Sequence, residues 1–265
     1  MTYTKHLIIP DTQVKPDVPV SHLDWAGQYI VEKRPDVIVH LGDHWDLPSL
    51  SSYDKSDKPG LYATQRIKAD LEAGDRALDL LEARLAKASD YRPRKIILIG
   101  NHEQRFDRFI LANPQLDGLL TPPWYHAAAL GWEVISFLEP VVVDGVAYCH
   151  YFCRSANGSV VNSKRGAPSA RAQVNREMRS CTAGHKQGLD VHIQPVGDGM
   201  KRGVIAGSFY QHEEAYLTPQ GTSYWRGLLV KHEVHQGNYN LMEVSMDYLK
   251  RKFQPAVARR LRRVA

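Results

Sequence analysis

Three short apolar runs in this chain stop at the same kind of turn, and that repetition limits what the chain can fold into. Lys5-His6-Leu7-Ile8-Ile9-Pro10 leads into Asp11-Thr12-Gln13. Asp36-Val37-Ile38-Val39-His40 leads into Leu41-Gly42-Asp43-His44-Trp45-Asp46, and Lys95-Ile96-Ile97-Leu98-Ile99 leads into Gly100-Asn101-His102-Glu103. Short β-branched runs bounded by turn residues suit parallel strands buried on both faces, and open α/β sheets bind ligands beyond the carboxyl ends of their strands. The expectation is an α/β fold whose sheet brings Asp11, Asp43, Asn101 and His102 to one edge.

The connections fit that reading. Leu23, Ala26, Ile30 and Val31 recur at helical spacing and predict a helix over 21–33, with Ser21 as its cap and Asp24 in the capping-box position. Ile67, Leu71, Ala77, Leu78, Leu81 and Leu85 predict a long amphipathic helix over about 61–87, with a kink expected at Gly74. Residues 47–59 read as a polar, substrate-facing loop, and 104–110 as a helix behind Asn101 and His102. The Pro- and aromatic-rich stretch 113–130 reads as a cap over the site, its rings packing locally or offering a base-stacking platform. Beyond it, strands are expected at 132–137, 140–143 and 146–150, with an Asp144-Gly145 hairpin turn. A loop and a basic helix follow over 156–179. Further strands are expected at 181–187, 204–209, 223–230 and 239–244.

With 265 residues, 43% of them hydrophobic, the chain is long enough to bury a full core, and one catalytic-sized domain over 1–249 is expected. No run of eighteen apolar residues exists, and the first strand starts close to Met1, so neither a membrane span nor a signal peptide is expected. Cys149, Cys153 and Cys181 lack metal-site spacing and are odd in number, which predicts ordinary thiols in a cytoplasmic protein. The net charge of +5 is a property of the tail 250–265, where Lys250, Arg251, Lys252, Arg259, Arg260, Arg262 and Arg263 meet no acid. Such a tail suits nucleic-acid phosphates, or is a solvated helix end.

Carboxylate, amide oxygen and imidazole on one edge suit two divalent cations sharing one bridging Asp. Asp11-x-Gln13, Gly42-Asp43-x-x-Asp46, Gly100-Asn101-His102-Glu103, His150 and Gly184-His185-x-Gln187 resemble, in order, the five blocks of the calcineurin-like metallophosphoesterases. The resemblance spans 11–187 and implies a four-layer α/β/β/α sandwich. It also implies one metal site at Asp11, Gln13, Asp43 and Gln187, and a second at Asp43, Asn101, His150 and His185. His102 would stay off the metals, contacting phosphate or protonating the leaving oxygen, with Asp46 orienting it while a metal-bridged hydroxide attacks.

The family has His at the positions of Gln13 and Gln187. Amide oxygen is a harder ligand than imidazole, so the first site should be the weaker one and should take Mn²⁺, with Mg²⁺ the alternative. His44, Arg105, Arg154 and Arg165 are candidate substrate contacts, and Trp45, Arg171 and Arg176 either flank the substrate path or simply pack and solvate. His192 and His212 are spare ligands. The leading function is hydrolysis of phosphodiester bonds in DNA or another nucleic acid. The alternatives are a phosphomonoesterase or small-molecule phosphodiesterase, and a non-catalytic nucleic-acid-binding module. No membrane and no specific protein partner is implied.

Overall fold

β1 (Thr4–Ile9), β2 (Val37–His40) and β3 (Arg94–Leu98) run parallel, as their apolar runs predict, and β4 (Glu133–Ile135) joins them parallel to β3. β10 (Gly227–His235) and β11 (Asn238–Ser245) extend that sheet antiparallel, in the order β11-β10-β1-β2-β3-β4. A second mixed sheet has the order β5-β6-β7-β9-β8, from β5 (Val141–Val143), β6 (Val146–Cys149), β7 (Cys181–Ala183), β9 (Gly199–Ala206) and β8 (Leu189–Val196). The computed structural model describes residues 2–51, 63–153, 167–196, 199–214 and 223–254. The class is mixed α/β, with six α-helices among the described residues: α1 (Ser21–Lys33), α2 (Ala63–Leu85), α3 (Gln104–Ala112), α4 (Trp124–Ala129), α5 (Ala170–Glu177) and α6 (Met246–Phe253).

The two-residue period of the strands distributes the core. Leu7 and Ile9 of β1 face α1 and α2, joining Leu23, Ile30, Leu78 and Leu81, while Ile8 between them faces the second sheet with Tyr148, Val204 and Ala206. All three β1 side chains are fully buried, each worth about 1.5–3 kcal/mol relative to exposure. A smaller cluster joins Ala147 and Cys149 of β6 and Cys181 and Ala183 of β7 to Val174 of α5. Among the described residues no helix is long and apolar enough to cross a membrane.

Several local expectations change. Ser21 does not cap α1: the cap position is Val20, and no side-chain cap bond forms. Asp24 is instead taken by Arg84 of α2, at 2.5 and 3.0 Å, and by Gln28 at 2.8 Å. α2 runs on through Gly74, because the residue serves close approach: the Trp45 indole occupies the space a Cβ would need. The stretch 113–130 packs α4 against α2 and β4, and Trp124 meets Phe106 edge-on as local packing, while Tyr125 stays 59% exposed. β8 has no counterpart among the expected strands. α6 crosses the expected boundary at 249/250: Lys250, Arg251 and Lys252 belong to it, and Lys252 pairs with Glu32 at 2.6 Å. Most of the expected 47–59 loop, and Arg259, Arg260, Arg262 and Arg263 of the tail, lie outside the described residues. The Asp144-Gly145 turn does form, both residues having positive φ (48° and 84°) as a type I′ hairpin requires.

His22 on α1 is buried, edge-on to Phe209, and burial followed by the His212 charge lowers its pKa to about 3. The unfolded chain, with its His near 6.5, therefore takes up a proton that the fold rejects. The stability from neutral His22 is present above pH 6.5 and is lost as pH falls toward 3. In His22→Gln, the stability lost between pH 7 and pH 5 should shrink by about 2 kcal/mol relative to wild type, read by urea unfolding at both pH values. An unchanged pH dependence would contradict the assignment.

Candidate metal centre

Each ligand block lies just past the carboxyl end of a strand. Asp11 follows β1, Asp43 follows β2, Asn101 follows β3, His150 follows β6 and His185 follows β7. The two sheets contribute to one place because Asp11 pairs with Ser208, two residues beyond the end of β9, while Gly184 N–H donates to the His150 carbonyl. Among the described residues, Asp43, His150 and His185 are the one group of three His, Cys, Asp or Glu whose donor atoms all lie within 4.8 Å of one another.

Asn101 completes that group. Its Oδ1 is 3.0 Å from His150 Nε2 and 2.6 Å from His185 Nδ1, and His150 Nε2 is 3.4 Å from Asp43 Oδ2. Donor atoms about 3 Å apart match neighbouring ligands of a single cation held at about 2.1 Å. The His150 ring is set by its other nitrogen, where Nδ1–H donates to the Leu41 carbonyl at 2.8 Å and turns the Nε2 lone pair inward. The centre is thus a set of acceptors facing one another, an arrangement that calls for positive charge. Burial opposes charge on His150, yet Asp43 prevails and raises its pKa to about 10. Burial opposes charge on Asp43 as well, and His102 and His150 together hold it below the usual carboxylate range. His185 falls to about 4, through burial and the His150 charge.

Of the residues of the first implied site, Asp11, Asp43 and Gln187 lie close together. Asp11 Oδ1 accepts from the His185 backbone N–H at 3.1 Å, and Oδ2 accepts from Gln187 Nε2 at 3.3 Å. Burial and the neighbouring Asp43 raise Asp11 to about 7, as expected for two buried carboxylates side by side. Gln13 and Gln187 each leave a buried Oε1 with no hydrogen-bond partner. Unpartnered buried acceptors are costly, about 1–3 kcal/mol each, and a hard cation would satisfy them. Asp11, Gln13, Asp43 and Gln187 therefore fit such an ion by donor chemistry.

His102 stands beside the ligands. Its Nδ1–H donates to Asp46 Oδ1 at 2.5 Å, and its Nε2 lies 3.7 Å from Asp43 Oδ2. Burial lowers its pKa, but Asp43 and Asp46 outweigh burial and raise it overall. Arg105, expected at the substrate, donates from Nη1 to the Asp46 carbonyl at 2.7 Å and places Nη2 3.2 Å from His102 Nε2. His44 does not line a groove: it is fully buried, with Nδ1 bonded to Thr12 Oγ1 at 2.8 Å and Nε2 to the Gly74 carbonyl at 3.0 Å. Trp45 is likewise core, its Nε1–H donating to Asp75 at 3.0 Å. Arg154 and Arg165 lie outside the described residues, and Arg171 and Arg176 sit on α5. The spare ligands are occupied elsewhere, His192 by Gln194 at 2.9 Å and His212 by Glu214 at 2.7 Å.

Sequence reasoning gave no role to Glu103. Its buried carboxylate accepts from the backbone N–H groups of Gly100 (2.9 Å), Asp43 (3.0 Å), His44 (2.5 Å) and Trp45 (2.9 Å). Gly100 has to be glycine because a Cβ there would strike Asp43 Oδ1. The only signal in the sequence is the acid three residues after Gly100, which reads as an ordinary helix-start carboxylate. No protein-family model matches the chain, and no curated protein sequence matches it either.

Glu103→Gln should lower stability by about 2–4 kcal/mol, since an amide would turn a donor toward two of these four donors. Chemical unfolding, together with Mn²⁺ calorimetry showing weakened binding, checks this. A variant as stable as wild type would contradict the pinning role.

Proposed function

We propose that this chain is a divalent-metal-dependent phosphoester hydrolase of the calcineurin-like kind, acting on phosphodiester bonds in DNA or another nucleic acid. The observation that carries the reading is a histidine poised beside a ligand cluster and outside it: His102 is held by Asp46 through Nδ1, with Nε2 turned toward Asp43. Three cores, lying between helices and sheet, sheet and sheet, and sheet and α5, support the four-layer α/β/β/α arrangement.

Asp43, Asn101, His150 and His185 would hold one cation, and Asp11, Gln13, Asp43 and Gln187 a weaker one, Mn²⁺ in preference to Mg²⁺. When bound, such cations neutralise phosphoryl charge and acidify a water. The rest falls to the chain. Asp46 keeps a proton on His102 Nδ1, so that Nε2–H is the atom that donates to the leaving-group oxygen. Asp43 and Asp46 raise the pKa of His102 against burial, which favours the imidazolium. Arg105 Nη2–H donates to His102 Nε2 at 3.2 Å; once Nε2 is protonated, Arg105 would exchange this bond for one to the same phosphate. The seven basic residues of the tail 250–265 support a polyanionic substrate, and three free thiols suit a reducing, cytoplasmic compartment.

Purified protein should hydrolyse bis(p-nitrophenyl) phosphate and cut plasmid or single-stranded DNA with Mn²⁺, lose the activity in chelator and regain it on adding Mn²⁺. His102→Gln should reduce kcat about 10²–10⁴-fold with little change in metal affinity. Turnover of p-nitrophenyl phosphate with DNA left intact would replace the nuclease reading by a monoesterase. DNA binding without turnover, in a preparation shown to hold two ions, would replace it by a binding module.

A further inference from the structure

Asp46 is held from two sides, and the second side belongs to no ligand block. Its Oδ1 accepts from His102, while its Oδ2 lies 3.2 Å from Lys15 Nζ. Lys15 Nζ in turn donates to both carboxylate oxygens of Glu214, at 2.9 and 2.8 Å, and Glu214 Oε1 is 2.7 Å from His212 Nε2. Residues 15, 46, 102, 212 and 214 thus form one continuous polar chain, drawn from segments far apart in sequence. The side chains of Asp46 and Glu214 are 9% and 5% exposed, so these contacts are formed largely out of water, where they are strong and costly to break. The backbone is tied in the same place, with Asp46 N–H donating to the Val14 carbonyl at 2.9 Å.

We infer that Lys15 and Glu214 are positioning residues, a neutral clamp that fixes the Asp46 carboxylate so that it presents Oδ1 to His102. A carboxylate turns easily about its Cβ–Cγ bond. A partner on each oxygen stops that rotation, and here His102 occupies one oxygen and Lys15 the other. A lysine alone would be a poor anchor, because its long side chain is free to move and its full charge would draw Asp46 away from the imidazole. Glu214 answers both difficulties: two contacts fix the ammonium, and its charge offsets that of Lys15. His212 completes the clamp by fixing Glu214 Oε1. The inference rests on the reading of His102 as the group that meets the phosphoester.

The test uses full-length wild type, Lys15→Met, Glu214→Gln and the double variant. With bis(p-nitrophenyl) phosphate and Mn²⁺, each single variant should lose about 10–100-fold in kcat, with KM and the Mn²⁺ dissociation constants within about twofold of wild type. The double variant should be no worse than the poorer single one, because the two residues act as a unit. A second readout needs no activity. In ¹⁵N-histidine-labelled protein, the His102 Nδ1–H should give a downfield, slowly exchanging proton resonance, assigned by its loss in His102→Gln. That resonance should vanish or move upfield in both clamp variants. If wild type hydrolyses no phosphoester, the functional reading fails while the resonance still decides the clamp. An unchanged resonance in folded Lys15→Met or Glu214→Gln would overturn it, as would its absence from wild type, losses confined to KM, or additive losses in the double variant. Should Lys15→Met fail to fold, the near-isosteric Glu214→Gln carries the test.

Discussion

One buried carboxylate ties the candidate site together. Glu103 collects the N–H groups of Gly100 and of the three consecutive residues Asp43, His44 and Trp45, and so joins the turn after β2 to the turn after β3. Both turns run where regular pairing has ended, and without Glu103 their donors would be buried and unpaired. Asp43 itself sits at a φ of 49°, a left-handed conformation that Asp tolerates but that the surroundings have to hold. Asp43 Oδ1 then accepts the His102 backbone N–H at 2.9 Å, which seats His102 and Asn101 against Asp43. Burial and the nearby Asp43 charge raise Glu103 to about 7, so part of the cost of the pin is electrostatic.

That cost makes sense around a cation. Asp11, Asp43 and Glu103 are all buried at one edge, and Asn101 Oδ1 faces two imidazole nitrogens. The chain supplies part of the compensating charge as protons, which is why His150 is raised to about 10 in spite of burial. A divalent ion would take over that role, with release of protons as it binds. The Gln-containing side has less imidazole to offer and more oxygen, and its two unpartnered amide oxygens would suit a hard ion.

How much of this was legible in the sequence followed the range of the interactions involved. β1, β2 and β3 were readable because runs such as Leu7-Ile8-Ile9 are apolar on both faces, and the meeting of Asp11, Asp43 and Asn101 at one edge was readable because each follows such a run. β8 was not: its burial alternates between half-exposed and exposed along Leu189–Val196, and Pro195 argues against a strand except at the sheet edge, where it lies. His44 carried the chemistry of a substrate contact, but its partners Thr12 and Gly74 come from distant segments that sequence cannot bring together. Gly74 shows the same limit, since only the packed fold reveals that Trp45 fills the space beside it. Glu103, Lys15 and Glu214 are ordinary charged residues until the sheets assemble, and no local pattern separates them from solvated ones.

The central claim is that the edge shared by the two sheets is a metal centre. The most direct measurement is anomalous diffraction at the manganese edge from crystals grown with Mn²⁺. A strong peak bounded by Asp43, Asn101, His150 and His185, with a weaker second peak beside Asp11, Gln13 and Gln187, is the predicted result. No anomalous density at this edge, at Mn²⁺ concentrations well above millimolar, would contradict it.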